Sequence, residues 1–320
     1  KLEAAWISTI DGFCARLLQT HAVLAGLDPA FTVLEEAELR GLREQAWETA
    51  VWEVLEAEDP EAGAERLLTD AGWDGLFATV RHVHDERRSA GEAHPALPIP
   101  PEPDVAAAAA ELGRTAAAFL AAIPPERDGK KLAETRRILR ETVDRTAADP
   151  ARALSAAERK ALKVPATRAM PEFQTAEYAA YAAAREEHIR ACVDRRARPV
   201  LLALERLLTA YARAFDAAKR ERAGLDFADL ALGARDLLRA RPELAAAYRE
   251  RLCRVMVDEF QDTNRLQLDL LDALGTTQLF VVGDRLQSIY AFRHADVSVF
   301  VEVWDRLLAE DRARELATNF

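Results

Sequence analysis

Two short apolar runs, Val255-Met256-Val257 and Leu279-Phe280-Val281-Val282, constrain the fold of this chain more than any other feature. Unbroken runs of this length suit strands buried on both faces of a parallel sheet, where neither side is left polar. Between them Leu266, Leu270 and Leu274 recur at every fourth position and Gly275 follows, which is the pattern of an amphipathic helix with a left-handed stop. Strand, helix and strand in this order predict an α/β crossover unit. Both strands then point the same way, and ligands of open parallel sheets sit beyond the carboxyl ends.

Those ends carry acids. The first strand leads into Asp258-Glu259-Phe260-Gln261-Asp262-Thr263, and the second into Gly283-Asp284-Arg285-Leu286-Gln287-Ser288-Ile289-Tyr290. Neighbouring carboxylates at a strand end repel each other and lose solvation, so a cation or a proton must offset them. Magnesium is the natural cation, being a hard ion held by one or two carboxylates together with phosphate oxygens and water.

The remainder reads as helix. A chain of 320 residues with 50% apolar content can bury a sizeable core, and its length suggests two domains. Only 13 glycines stand among abundant Ala, Leu, Arg and Glu, which favours helices over a sandwich or barrel. Trp6-Ile7-Ser8-Thr9-Ile10 reads as a strand end running into a helix that carries Cys14, Leu17, Leu18, His21 and Leu24 at helical spacing. Helical patterns continue to residue 88, and Pro95, Pro98, Pro100, Pro101 and Pro103 then form an extended linker. Asp104 caps an alanine-rich helix that ends at Pro124-Pro125 and the turn Arg127-Asp128-Gly129. Leu201, Leu204, Leu208, Tyr211 and Phe215 give a later helix one apolar seam, and Pro242 opens another helix. Asp226 and Asp229 suit a helix N-terminus, as do Asp262 and Thr263 before the helix that begins near Leu266.

The net charge of −11 weighs against a general nucleic-acid coat, but the distribution is uneven. Between Lys130 and Arg168 eleven Lys or Arg face five Asp or Glu, so this segment is either a solvated helix face or a surface for phosphates. Cys14, Cys192 and Cys253 lie too far apart for a disulfide framework or a CxxC metal site, which fits a reducing cytoplasm. No uninterrupted apolar run approaches the ~20 residues that cross a bilayer, so no membrane partner is expected.

The string from Asp258 to Thr263, followed by Val282-Gly283-Asp284-Arg285-Leu286-Gln287-Ser288-Ile289-Tyr290-Ala291-Phe292-Arg293-His294-Ala295-Asp296, resembles motifs II and III of the UvrD/Rep and RecB/AddA superfamily 1 DNA helicases. Three further stretches are similar to the same family. Ile7-Ser8-Thr9-Ile10-Asp11-Gly12-Phe13-Cys14 looks like its early DNA-contacting motif, Asp226-Phe227-Ala228-Asp229-Leu230 like its DFxDL element, and Ala317-Thr318-Asn319-Phe320 like the start of motif IV. The resemblance implies an α/β P-loop (RecA-like) helicase core fragment with a large, mainly α-helical inserted subdomain. Residues 1–34 and 216–320 would form the core, and 35–215 a DNA-proximal insertion that includes the basic segment.

Roles carried over with the motifs make chemical sense. Asp258 would hold magnesium, Glu259 would activate the attacking water, and Gln287 would sense the γ-phosphate of ATP, with Asp284 beside it. Thr9, Tyr290, Phe292 and Arg293 would meet DNA, the two rings as stacking platforms indifferent to base identity. Tyr290 and Phe292 could equally be core aromatics. Phe292 stands where the family often has tryptophan, and Asp11 where many members have histidine. The resemblance thus implies an ATP- and Mg2+-dependent helicase of 3′→5′ polarity acting on single-stranded DNA and the duplex junction, in repair or recombination. A RecC/AddB-like nuclease-complex subunit would be a partner.

No G-x-x-x-x-G-K-[ST] phosphate loop occurs; Gly129-Lys130-Lys131 lacks the leading glycine and the Ser/Thr. The expectation is therefore an internal stretch of a longer protein, with little ATPase activity of its own. Two other readings are a non-catalytic DNA- or partner-binding module retaining a helicase scaffold, and a magnesium nuclease built on Asp258, Glu259 and Asp284.

Overall fold

The computed structural model describes residues 6–57, 63–166, 170–275, 278–287 and 297–315. The order begins with α1 (Ile10–Thr20), β1 (Thr32–Val33), α2 (Glu36–Ala57), α3 (Ala64–Ala71) and α4 (Trp73–Ser89). It continues with α5 (Val105–Ala122), α6 (Lys130–Ala148), α7 (Ala156–Ala161) and the long α8 (Ala176–Glu221). Then come β2 (Gly224–Leu225), α9 (Phe227–Ala240), α10 (Pro242–Leu252), β3 (Val255–Val257), α11 (Arg265–Leu274), β4 (Leu279–Val281) and α12 (Val297–Ala309). The chain divides into two compact units, one of residues 1–59, 64–96 and 205–320, the other of 60–63 and 97–204. Helices dominate both units, and the described strands form two separate two-stranded parallel sheets.

The expected crossover is present in the first unit. β3 and β4 pair in parallel with Val255, Met256 and Val257 opposite Leu279, Phe280 and Val281. Asn264 caps α11 by accepting from the Gln267 backbone N–H while Gln267 reciprocates, and Gly275 ends the helix at φ 66°. The cap is therefore Asn264 rather than Asp262 or Thr263, because these two are held in and just after a 3₁₀ turn, Phe260–Asp262. Phe260, Leu268, Leu271, Val299 and Val303 form a buried cluster against which Val255, Val257, Leu279 and Val281 pack. The opposite face is open: Met256, Phe280 and Val282 are 74%, 57% and 45% exposed. The expectation of strands buried on both faces thus fails in this chain, since the described sheet has only two strands and its helices lie on one side.

A larger cluster joins α1, α9, α10 and α11 through Leu17, Leu18, Leu230, Leu237, Tyr248, Leu266 and Leu270. The described residues before α1, 6–9, form no strand; Thr9 is the N-cap, and its hydroxyl accepts from the Gly12 N–H. Trp6 instead packs on Phe13 and Tyr248, with the guanidinium of Arg16 4.4 Å from its ring. The seam expected on α8 is realised in this unit, where Leu208, Tyr211 and Phe215 are buried. β1 and β2 also pair in parallel, and Gly224 is needed there because an added Cβ would come within 2.6 Å of Leu34.

The second unit has its own core, built from Leu112, Ala116 and Phe119 of α5, Ile138 and Leu139 of α6, and Tyr181 and Cys192 of α8. Asp104 caps α5 as expected, accepting from Ala107 N–H. By length and composition alone α5 is apolar enough to cross a membrane. It carries Glu111 and Arg114, joined by 2.5 and 2.9 Å contacts, and lays its other side into this core. Cys14 and Cys192 are buried free thiols, and Cys253 is an exposed one.

Candidate functional site

The carboxyl ends of β3 and β4 lie side by side. Val282 N–H donates to the Val257 carbonyl at 2.9 Å, and Phe260 N–H donates to the Val282 carbonyl at 2.8 Å, so pairing continues past both strands. This turns the chain sharply at Glu259, which adopts φ 50°, ψ 42°. Such a left-handed conformation is uncommon for a residue with a Cβ and costs on the order of 1–3 kcal/mol unless its surroundings impose it. Asp258 Oδ1 accepts from the Glu259 N–H at 3.0 Å. Glu259 Oε2 accepts from Gln261 Nε2 at 2.6 Å, and among the described residues its Oε1 has no partner.

On the second strand Asp284 follows Gly283. Its N–H donates to Gln261 Oε1 at 3.0 Å, its Oδ1 accepts from the Leu286 N–H at 2.9 Å, and its Oδ2 from Gln287 Nε2 at 3.0 Å. The Leu286 N–H and the Gln287 amide hold the Asp284 carboxyl below its ordinary value. Glu259, Asp284 and Gln287, expected from sequence to act together, are therefore joined in one hydrogen-bonded set. Gln261, to which the sequence reading assigns no role, is the side chain that links Glu259 to the Asp284 backbone, alongside the backbone pairing of the two strand ends.

Asp258 and Glu259 are exposed, and among the described residues Asp258 is engaged only by its neighbour's N–H. Its carboxylate oxygens are hard donors open to solvent, which suits magnesium held mostly by phosphate and water. No cluster of three His, Cys, Asp or Glu side chains able to hold a metal occurs among the described residues. The donor set thus fits an ion delivered with a nucleotide rather than one caged by protein.

The Asp226-Phe227-Ala228-Asp229 element is a complete capping box, with each carboxylate accepting from the other residue's N–H. It is also a buried charge cluster. Lys219 Nζ, 2% exposed as a residue, lies 2.8 Å from Asp226 and 2.6 Å from Asp229, and Arg88 pairs with Asp229. Burial disfavours ionisation of Asp226, yet Lys219 and Arg88 outweigh it and hold its carboxyl at about 2. Asp229 is raised by burial and by the Asp226 charge. The caps are legible in the residue order, whereas Lys219 at the end of α8 and Arg88 at the end of α4 are brought in only by the fold.

Thr9 is exposed at the start of α1. Tyr290, Phe292 and Arg293 lie outside the described residues, as do Ala317-Thr318-Asn319-Phe320. In the basic segment α6 buries Leu132, Ile138 and Leu139 and leaves Lys130, Lys131 and Arg140 exposed with no acidic partner among the described residues. Arg137 pairs with Glu141 at 2.7 Å, and Arg136 donates to two backbone carbonyls.

The acid-tipped parallel strands bring motif residues into contact, and comparison with known proteins shows the family. The family model of the UvrD/REP helicase N-terminal domain matches residues 1–307, and the chain belongs to that family. It is 28% identical over 397 aligned positions to an ATP-dependent helicase/nuclease subunit of Geobacillus thermodenitrificans, covering 100% of this chain and 31% of that protein. The protein of the same name from Limosilactobacillus fermentum is 28% identical, with 98% of this chain and 28% of that protein covered. That from Levilactobacillus brevis is 41% identical over 129 residues, 37% of this chain and 10% of its own length. The chain thus spans less than a third of the full-coverage relatives.

Proposed function

We propose that this chain supplies the hydrolysis and sensing half of the ATP site in a DNA helicase or translocase of the helicase/nuclease kind. The observation that carries the proposal is the joined pair of strand ends, with Glu259 Oε1 left without a partner among the described residues. In this reading Glu259 accepts the proton of the attacking water at Oε1, and the Gln287 amide reports the state of the terminal phosphate. Asp258 holds magnesium, which when bound neutralises charge on the phosphate oxygens.

The core is RecA-like and comprises residues 1–34 and 216–320. The inserted subdomain spans 35–215, with the compact unit 97–204 as its separately packed part. Thr9, Tyr290, Phe292 and Arg293 contact single-stranded DNA, and the exposed Lys130, Lys131 and Arg140 face duplex phosphates. Movement is 3′→5′, the role is in repair or recombination, and the partner is an AddB/RecC-like protein, a reading supported by the relatives' being named as subunits.

Glu259→Gln in the intact protein tests this reading. DNA-stimulated ATP hydrolysis should fall by a factor of about 100 or more while the carboxamide keeps the fold. Hydrolysis at the wild-type rate would overturn the assignment. The 320-residue chain alone, without a phosphate loop, should show no DNA-stimulated ATPase above background.

A further inference from the structure

We propose that Gln261 is a positioning residue for hydrolysis, fixing the Glu259 carboxylate to the end of β4 so that the base and the Asp284–Gln287 turn form one hydrogen-bonded unit. This rests on the reading of Glu259 as the base.

Both ends of the Gln261 amide are engaged, in opposite senses. Nε2 donates to Glu259 Oε2 at 2.6 Å, and Oε1 accepts from the Asp284 N–H at 3.0 Å. Only an uncharged side chain with donor and acceptor at one tip can do both: Glu cannot donate, Leu can do neither, and Asn is one methylene short. The side chain belongs to a residue 2% exposed, so little water competes for these bonds, and the one to a carboxylate is of the stronger, charge-assisted kind. From Asp284 the chain of bonds continues through Oδ2 to Gln287 Nε2 at 3.0 Å.

Two backbone features make room for this link. An ideal Cβ on Gly283 would lie 2.6 Å from Gln261 Oε1, 3.1 Å from Gln261 N and 3.0 Å from Phe300, so glycine is what lets the end of β4 approach the amide. Glu259, in its left-handed conformation, points its carboxylate from a backbone that most side chains avoid. A residue so placed needs its surroundings to hold it, and Gln261 is the side chain that grips its carboxylate.

The test compares Gln261→Leu and Gln261→Glu in the intact protein, measuring ATP hydrolysis at saturating single-stranded DNA and magnesium, together with thermal unfolding. Gln261→Glu keeps the shape and the acceptor for Asp284 N–H, so it isolates the lost donor from any packing defect. Both variants should lose about 10- to 100-fold in kcat with KM for ATP within about twofold of wild type. Gly283→Ala, which pushes on the same amide, should show the same kcat-selective loss. The proposal is overturned if Gln261→Glu, folded as wild type, keeps kcat within about twofold or loses only in KM. Glu259→Gln run in parallel separates the two failures. If it abolishes hydrolysis while Gln261→Glu does not, only the positioning role is wrong; if it hydrolyses at the wild-type rate, the reading of the site is wrong.

Discussion

Glu259 combines a chemically demanding side chain with a backbone that favours glycine, and the two can be separated experimentally. Glu259→Ala and Glu259→Gly both remove the carboxylate and differ mainly in tolerance of φ 50°. The glycine variant should be the more stable by about 1 kcal/mol, read as a shift of the denaturation midpoint, whereas equal stability would mean the turn relaxes. The thiols offer a second residue-level check. Burial, aided by the Asp11 charge, pushes the Cys14 thiol up to about 12, and Cys192 is buried as well. In the native chain iodoacetamide should therefore modify Cys253 and spare the other two, as peptide mass mapping can establish. The acids and Gln287 stand out in the sequence as candidates because each lies within a short contiguous motif. The role of Gln261 does not, because its partner Asp284 lies 23 residues away and only strand pairing brings them together.

Among the elements, the joint where α8 and α4 meet the start of α9 is held by charge. Removing Lys219 leaves two carboxylates with Arg88 alone, so Lys219→Met should cost about 3–5 kcal/mol in chemical denaturation at neutral pH. Asp226 is depressed in the folded chain, so the stability it contributes is present above the ordinary carboxylate range and is lost as pH falls through about 2. The gap between wild type and Lys219→Met should accordingly narrow as pH drops from 4 towards 2; a constant gap would mean the cluster carries no such linkage. The helix boundaries near this joint were readable because caps are local: Asp226 with Asp229, Pro242 and Gly275 each act within one turn. Lys219 and Arg88 were hidden for the opposite reason, since nothing in a helix end announces which distant carboxylate it will meet. The strand forecast at Trp6–Ile10 failed because an apolar stretch has no fixed period, and Trp6 found its partners in Phe13 and Tyr248 instead.

For the whole molecule, the separate core of residues 97–204 sets an expectation of autonomy. A segment of that size with its own buried cluster falls within the range of independently folding domains. Expressed alone, it should retain helical circular dichroism and unfold cooperatively, and a non-cooperative melt would show that its core depends on the rest of the chain. The open face of the β3–β4 pair has a different consequence, one of colloid chemistry. Met256, Phe280 and Val282 expose an apolar band on a sheet whose outer edges pair with no other strand among the described residues, a surface that binds other apolar matter. In dilute solution this band should be where a hydrophobic dye such as ANS lodges and where chains first adhere to one another. Phe280→Lys should reduce both dye fluorescence and light scattering while leaving Asp258 and Glu259 in place.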